Sequence, residues 1–178
     1  MNYAETLGVK AKAVESAIAT AAPQVKNNAL AAIADALLAR QEEILAANAK
    51  DLEAAVQNHM TEALQDRLRL TPARISGMAN AARQLIAAED PIGSVDGGSV
   101  RPNGLQILKT RVPLGVIGII FESRPNVTVD AATLCLKAGN VVILRGGKEA
   151  IHSNTALAEI MRDAMETAGL PKDIIQLV

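Results

Sequence analysis

Gly115-Val-Ile-Gly-Ile-Ile-Phe121 decides the fold class. The run is apolar at odd and even positions alike, rich in β-branched residues, and too short to be a packed helix. That is the reading of a strand buried on both faces, as in a parallel sheet. A loop, Glu122 to Val127, leads into a helix from about Thr128 to Ala138, with Gly139 at the position after its C-cap. Val141 to Leu144 is a second short apolar strand. The loop Arg145 to His152 then leads to Ser153 as N-cap of a helix reaching Ala168, which Gly169 and Pro171 stop. Ile174 to Val178 is a third apolar strand. The order β-α-β-α-β requires right-handed crossovers and predicts an α/β fold with a parallel sheet. A third buried strand at the last residue would leave a bare sheet edge, which natural proteins cover. The expectation is an amino-terminal part of a longer protein.

Upstream, residues 1–91 read as helices. Leu7, Ala11, Val14 and Ile18 form one stripe at three- and four-residue spacing, and Pro23 suits a first helical turn. Leu30, Ile33, Leu37, Ile44, Leu45 and Leu52 carry a long stripe through Asp51. Thr71-Pro72 opens a further helix that Asp90-Pro91 ends. Alanine supports this reading, with 33 residues in the chain, 25 of them before residue 90. Residues 92–112 differ in texture. Gly93, Gly97, Gly98 and Gly104 read as turn chemistry, and Leu105 to Val112 as one strand of a hairpin reaching away from the helices. Residues 113–178 are the β-α-β-α-β unit.

Composition narrows the function classes. Lys and Arg number 18 against 19 Asp and Glu, a net charge of -1, so no global positive field recruits nucleic acid or an acidic membrane. Tyr3 and Phe121 are the only aromatic side chains, too few to stack a single strand. The longest apolar run, Val112 to Phe121, falls short of the ~20 residues of a membrane helix. Cys135 is alone, which suits a reducing, cytoplasmic setting.

In open α/β sheets, ligands bind beyond the carboxyl ends of the strands. Two loops leave strands there: Phe121-Glu-Ser-Arg-Pro-Asn-Val-Thr128 and Leu144-Arg-Gly-Gly-Lys-Glu-Ala150. In the second, Arg145 and Lys148 supply positive charge, Gly146 and Gly147 permit close backbone approach, and a helix N-terminus follows, which suits a phosphate-bearing ligand. A solvated turn is the other reading of that loop. It is not a P-loop, because Glu149 follows Lys148 and Val142 stands where the first glycine belongs; no GxGxxG follows any strand. Asn126 either caps a turn after Pro125 or donates its amide to a developing oxyanion. Glu122 is a conceivable general base or a partner of Arg124. Cys135, between Leu134 and Leu136, reads as a small buried hydrophobe rather than a nucleophile. His59 and His152 show no ligand spacing, so no metal site is expected.

Val112-Pro-Leu-Gly-Val-Ile-Gly-Ile-Ile-Phe-Glu-Ser-Arg-Pro-Asn-Val-Thr128 and Leu136-Lys-Ala-Gly-Asn-Val-Val-Ile-Leu-Arg-Gly-Gly-Lys-Glu149 together resemble the gamma-glutamyl phosphate reductases of the aldehyde dehydrogenase superfamily. Asp66-Arg-Leu-Arg-Leu-Thr-Pro-Ala-Arg74 and Gly169-Leu-Pro171 add to the likeness, which covers essentially the whole chain. The resemblance implies NADPH-dependent reduction of L-glutamate 5-phosphate to the 5-semialdehyde with release of phosphate, in proline biosynthesis. It implies a cysteine thiolate that displaces phosphate to form a thioester, which hydride then reduces. It places that cysteine beyond Val178, in a catalytic domain this chain lacks, so the chain alone is expected to be inactive. Asn126 matches the oxyanion asparagine. Ser123, Arg124 and Pro125 would line the cofactor groove, with Arg145, Gly146, Gly147 and Lys148 at the adenosine ribose and the 2′-phosphate of NADP. Residues 92–112 would be one arm of an oligomerisation hairpin in a homo-oligomer, and glutamate 5-kinase is a conceivable partner. A non-catalytic nucleotide-binding or helical interaction module is the alternative reading.

Overall fold

The chain, a computed structural model, is described over residues 2–178. Helix α1 (Tyr3–Ala19) starts at a capping box, in which Glu5 N donates to Asn2 Oδ1 and Asn2 N to Glu5 Oε2, both at 2.8 Å. Pro23 takes the first position of α2 (Pro23–Ala39), where its missing N–H leaves no bond unmade. The stripe through Asp51 is divided. Helix α2 ends at Arg40 and α3 (Gln41–Gln57) begins at once. The break lets Leu37 and Ile44, both fully buried, pack as parts of two separate helices against α7 (Ile151–Thr167). Arg40 fastens the corner, bonding Glu43 at 2.8 Å and Asp163 of α7 at 2.6 Å. A short helix, α4 (Glu62–Leu68), was not anticipated from the sequence. Helix α5 (Pro72–Ala87) starts as expected, with the Thr71 hydroxyl accepting from Arg74 N at 3.2 Å.

The glycines of residues 92–112 are partly strand residues, not turn residues. Gly97 and Gly98 lie inside β1 (Val95–Val100), which pairs antiparallel with β2 (Gln106–Thr110). A Cβ on Gly98 would stand 2.8 Å from Ile107 O, so the close approach of the paired strand explains the glycine there. The turn itself is Arg101 to Gly104, with Gly104 at φ +85°. Both faces of this ribbon are exposed.

Strands β3 (Val116–Ile120), β4 (Val141–Arg145) and β5 (Ile175–Leu177) form a parallel sheet in sequence order. Helix α6 (Pro125–Lys137) crosses from β3 to β4, and α7 (Ile151–Thr167) from β4 to β5. Strand β4 is central, and its first four residues are buried or half-buried, with α1 and α6 both packed against it. The sequence predicts burial of β3 on both faces, and the described residues show it on one. Strand β3 pairs with β4 alone, and Ile117 and Ile119 on one face are half-buried while Val116 and Ile120 on the other are exposed, Ile120 to 78%. Gly139 ends α6 at φ +71°, the left-handed position the sequence indicated.

One contiguous core joins the helices to the sheet, with Ile18, Leu30, Ile33, Leu37, Ile75, Leu136, Leu144, Leu157 and Met161 among its buried members. It encloses two lysines. Lys26, 2% exposed, pairs with Asp90 at 2.5 Å, and Lys137 donates to Asn27 Oδ1 at 2.9 Å. Burial alone would raise the Asp90 carboxyl. Its bonds to Lys26 and to the Ile92 N–H outweigh burial and hold it below the ordinary range. Among the described residues no helix is long and apolar enough to cross a membrane.

Candidate functional site

Parallel pairing decides what meets at the carboxyl end of the sheet. Ile120 is in register with Arg145, and Phe121 N donates to Arg145 O at 3.0 Å. The two loops singled out in the sequence therefore leave the sheet side by side. They are joined by side chains, since the Ser123 hydroxyl donates to Glu149 Oε2 at 2.7 Å. That bond first, and then a backbone N–H, hold the Glu149 carboxyl below its ordinary range against burial, with the Lys148 charge adding the least. Gly147 lies so close that a Cβ would stand 2.7 Å from both Glu149 Oε2 and Ser123 Oγ. A Cβ on Gly146 would collide with Asn154 Nδ2 and stand 3.0 Å from the Phe121 ring. The close packing of the second loop against the first loop and the start of α7 thus accounts for both glycines, a reason that sequence spacing did not supply.

Helix α6 starts earlier than the sequence suggested. Arg124 is its N-cap, with extended backbone, and buried Pro125 is its first residue. Asn126 is then in the first turn of a helix, not in a loop. Its Nδ2 donates to Asp130 Oδ2, one turn on, at 3.3 Å. The amide carries a second N–H. Burial raises the Asp130 carboxyl, opposed by the Asn126 bond. Arg124, Asn126 and Asp130 line a cavity of about 440 Å³ whose other wall comes from α4, α5 and the turn between them.

Arg145 and Lys148 are exposed, and among the described residues neither guanidinium nor ammonium has a carboxylate partner. Lys148 opens a 3₁₀ turn, Lys148–Ala150, that runs into α7. With His152, Asp51 of α3 and Asn58 at the C-cap of that helix, it lines a cavity of about 530 Å³. Ser153 is not the N-cap of α7. The helix begins at Ile151, and its first turn is capped from elsewhere in the chain. Asp51, 2% exposed, accepts from His152 N at 3.1 Å, Ser153 N at 2.8 Å and Ser153 Oγ at 2.6 Å. Thr128 of α6 donates to Asn154 Oδ1 at 2.8 Å, joining the starts of the two crossover helices. Asp51, Asn154 and Glu149 were missed as parts of the site. Only Glu149, next to Lys148, carried any local signal.

Cys135 is 7% exposed inside α6, and burial raises its thiol, so it has neither the access nor the thiolate that a nucleophile needs. Glu122 and Arg124 do not form the side-chain ion pair weighed from the sequence; Arg124 N instead donates to Glu122 O at 2.8 Å. Among the described residues no three His, Cys, Asp or Glu side chains cluster as metal ligands.

The sequence profile of the aldehyde dehydrogenase family matches residues 3–178. The gamma-glutamyl phosphate reductase of Nitratidesulfovibrio vulgaris is 53% identical over 174 residues, which are 98% of this chain and 42% of the relative. That of Heliobacterium modesticaldum is 56% identical over 171 residues, 96% of this chain and 41% of the relative. The crystal structure of the gamma-glutamyl phosphate reductase from Thermotoga maritima superposes with a TM-score of 0.96 at 39% identity, covering 99% of this chain and 43% of that one. The chain thus spans about two fifths of the length of these relatives.

Proposed function

Because the chain belongs to the aldehyde dehydrogenase family, a family of nicotinamide-dependent oxidoreductases, we propose that it supplies the first loops of the cofactor site in an enzyme that reduces L-glutamate 5-phosphate with NADPH. The juxtaposition of the 122–126 and 145–149 loops at one end of the parallel sheet carries this reading. The residues present fit a dinucleotide. Arg145 and Lys148 are exposed cations in the second of those loops, and Glu149, next to Lys148 in the chain, is already engaged by Ser123. Lys148 and Arg145 would hold the 2′-phosphate that distinguishes NADPH, while Ser123, Arg124 and Pro125 would line the groove toward the reacting end. When bound, the cofactor supplies the hydride.

In this reading Asn126 is the oxyanion donor. Asp130 accepts one amide N–H and fixes the plane of the group, leaving the other N–H for the oxygen of the acyl carbon as charge develops on it. The nucleophilic thiolate would come from a residue outside this chain, since Cys135 is buried in a helix. The exposed β1–β2 ribbon, with Val100 at 68% and Leu108 at 64% exposure, would seat a second copy of the protein.

The test is made in the intact reductase. Lys148→Ala should lower kcat/KM with NADPH by roughly ten- to hundredfold, the loss of a charge-assisted hydrogen bond, and spare NADH. Asn126→Ala should lower kcat by ~10²–10³ with NADPH affinity retained. Equal effects on both cofactors would reduce Lys148 to a turn residue, and unchanged turnover would leave Asn126 a helix-start residue bonded to Asp130 with no part in the chemistry.

A further inference from the structure

The cavity beside Asn126 is walled by cations in a way that the cofactor loops do not explain. Arg67, Arg69, Arg74 and Arg124 all line it, against two carboxylates, Asp66 and Asp130. Arg74 is committed to its own neighbourhood. Its guanidinium donates to the Asp66 carbonyl, to Arg69 O at 2.7 Å and to both carboxylate oxygens of Asp66 at 3.1 Å. Asp66 is thereby neutralised as well. Among the described residues the guanidiniums of Arg67, Arg69 and Arg124 make no hydrogen bond or ion pair.

The segment that presents two of these arginines is fixed from beneath. Leu68 and Leu70 are buried, while Arg67 and Arg69 between and beside them are exposed. Asn48, 1% exposed on α3, donates to Leu68 O at 2.9 Å and accepts from Leu70 N at 2.8 Å. The backbone there is thus held by a buried amide on one side and by Arg74 on the other. Three guanidiniums set around one cavity repel one another unless a multiply charged anion enters, and each offers the planar fork that matches carboxylate or phosphate. A volume of about 440 Å³ admits a small ligand. Arg67 and Arg124 also line the adjoining cavity of about 300 Å³ with Ser123 and Glu149, so they stand between this space and the loops assigned to the cofactor.

We propose that Arg67, Arg69 and Arg124 bind the anionic ends of the substrate, the carboxylate and phosphate of an amino-acid acyl phosphate, and hold its acyl carbon beside Asn126. The identity of that substrate rests on the proposed reductase function; the anion site itself rests on the arginines alone.

The test is a calorimetric titration of the chain with two probes: L-2-amino-6-phosphonohexanoate, a non-cyclising phosphonate of matching length, and inorganic phosphate. Arg67→Ala, Arg69→Ala and Arg124→Ala should each weaken the phosphonate by roughly ten- to hundredfold. Arg67→Lys should recover part of the loss, and circular dichroism should show each variant folded. Phosphonate affinity equal to wild type in all three alanine variants overturns the proposal, as does failure of both probes to bind the wild-type chain. Binding of phosphate but not of the phosphonate, lost on substitution of the arginines, upholds the anion site while removing glutamyl phosphate as its ligand.

Discussion

Replacing Asp51 tests the idea that the start of α7, just after the 145–149 loop, is held by a distant carboxylate. Asp51→Ala removes the acceptor of three hydrogen bonds, at 2.6, 2.8 and 3.1 Å, from a site that is 2% exposed. Hydrogen bonds to a charged group contribute ~1.5–3 kcal/mol each, and a buried donor left without a partner costs ~1–3 kcal/mol. The effects do not add, because water can enter the space vacated by the carboxylate and the buried charge had its own desolvation cost. A net loss of about 3–5 kcal/mol is expected, a large part of the ~5–15 kcal/mol typical of a domain. Asp51→Asn keeps an oxygen for Ser153 but turns an amide donor toward a backbone N–H, and should cost roughly 1.5–3 kcal/mol. Urea unfolding at pH 7, followed by far-ultraviolet circular dichroism, reads both. Ser153→Ala completes the cycle: with Asp51 already replaced, it should cost less than in the wild-type chain. A loss below about 1 kcal/mol for Asp51→Ala would refute the claim that α7 is capped by α3. Should the alanine variant fail to fold, the asparagine and Ser153 variants still decide the matter.

Gly147→Ala places a methyl 2.7 Å from the Ser123–Glu149 pair and should destabilise by ~1–3 kcal/mol, whereas Gly8→Ala, at a helix position with open space around it, should stabilise by a few tenths; thermal melts compare the two. Asp90→Asn leaves Lys26 buried without a counter-charge and should cost ~3–5 kcal/mol in denaturant. Because the folded state holds the Asp90 carboxyl below its unfolded value of ~3.9, the pair stabilises fully above that pH and loses its contribution as the pH falls through the lower, folded value; the acid limb of stability should therefore flatten in the variant. Cys135, raised and buried, should react with Ellman's reagent many-fold more slowly in the native chain than in urea, and a native rate equal to the unfolded one would contradict its placement.

Elements whose signals are local were legible in the sequence. Thr71-Pro72 starts α5 because a hydroxyl and a ring act within one turn. Gly139 ends α6 because the left-handed conformation at φ +71° is open to glycine, and the parallel order of the three strands follows from alternating apolar runs and helices. The same locality explains the errors. The Gly97-Gly98 pair looks like a turn until Ile107 lies across from it, and Val116 to Ile120 looks like a central strand until its position at the sheet edge is known.

Both loops can be read from the chain alone, because each is a short motif leaving an apolar strand. Tertiary structure decided what holds them and what they face. Asp51 reaches Ser153 from 102 residues away, and the Asp66–Leu70 segment meets Asn126 only because α5 packs on α6. No periodicity encodes such meetings. They arise when buried helices pack, and packing brings together side chains whose separation along the chain has no bearing on their separation in space.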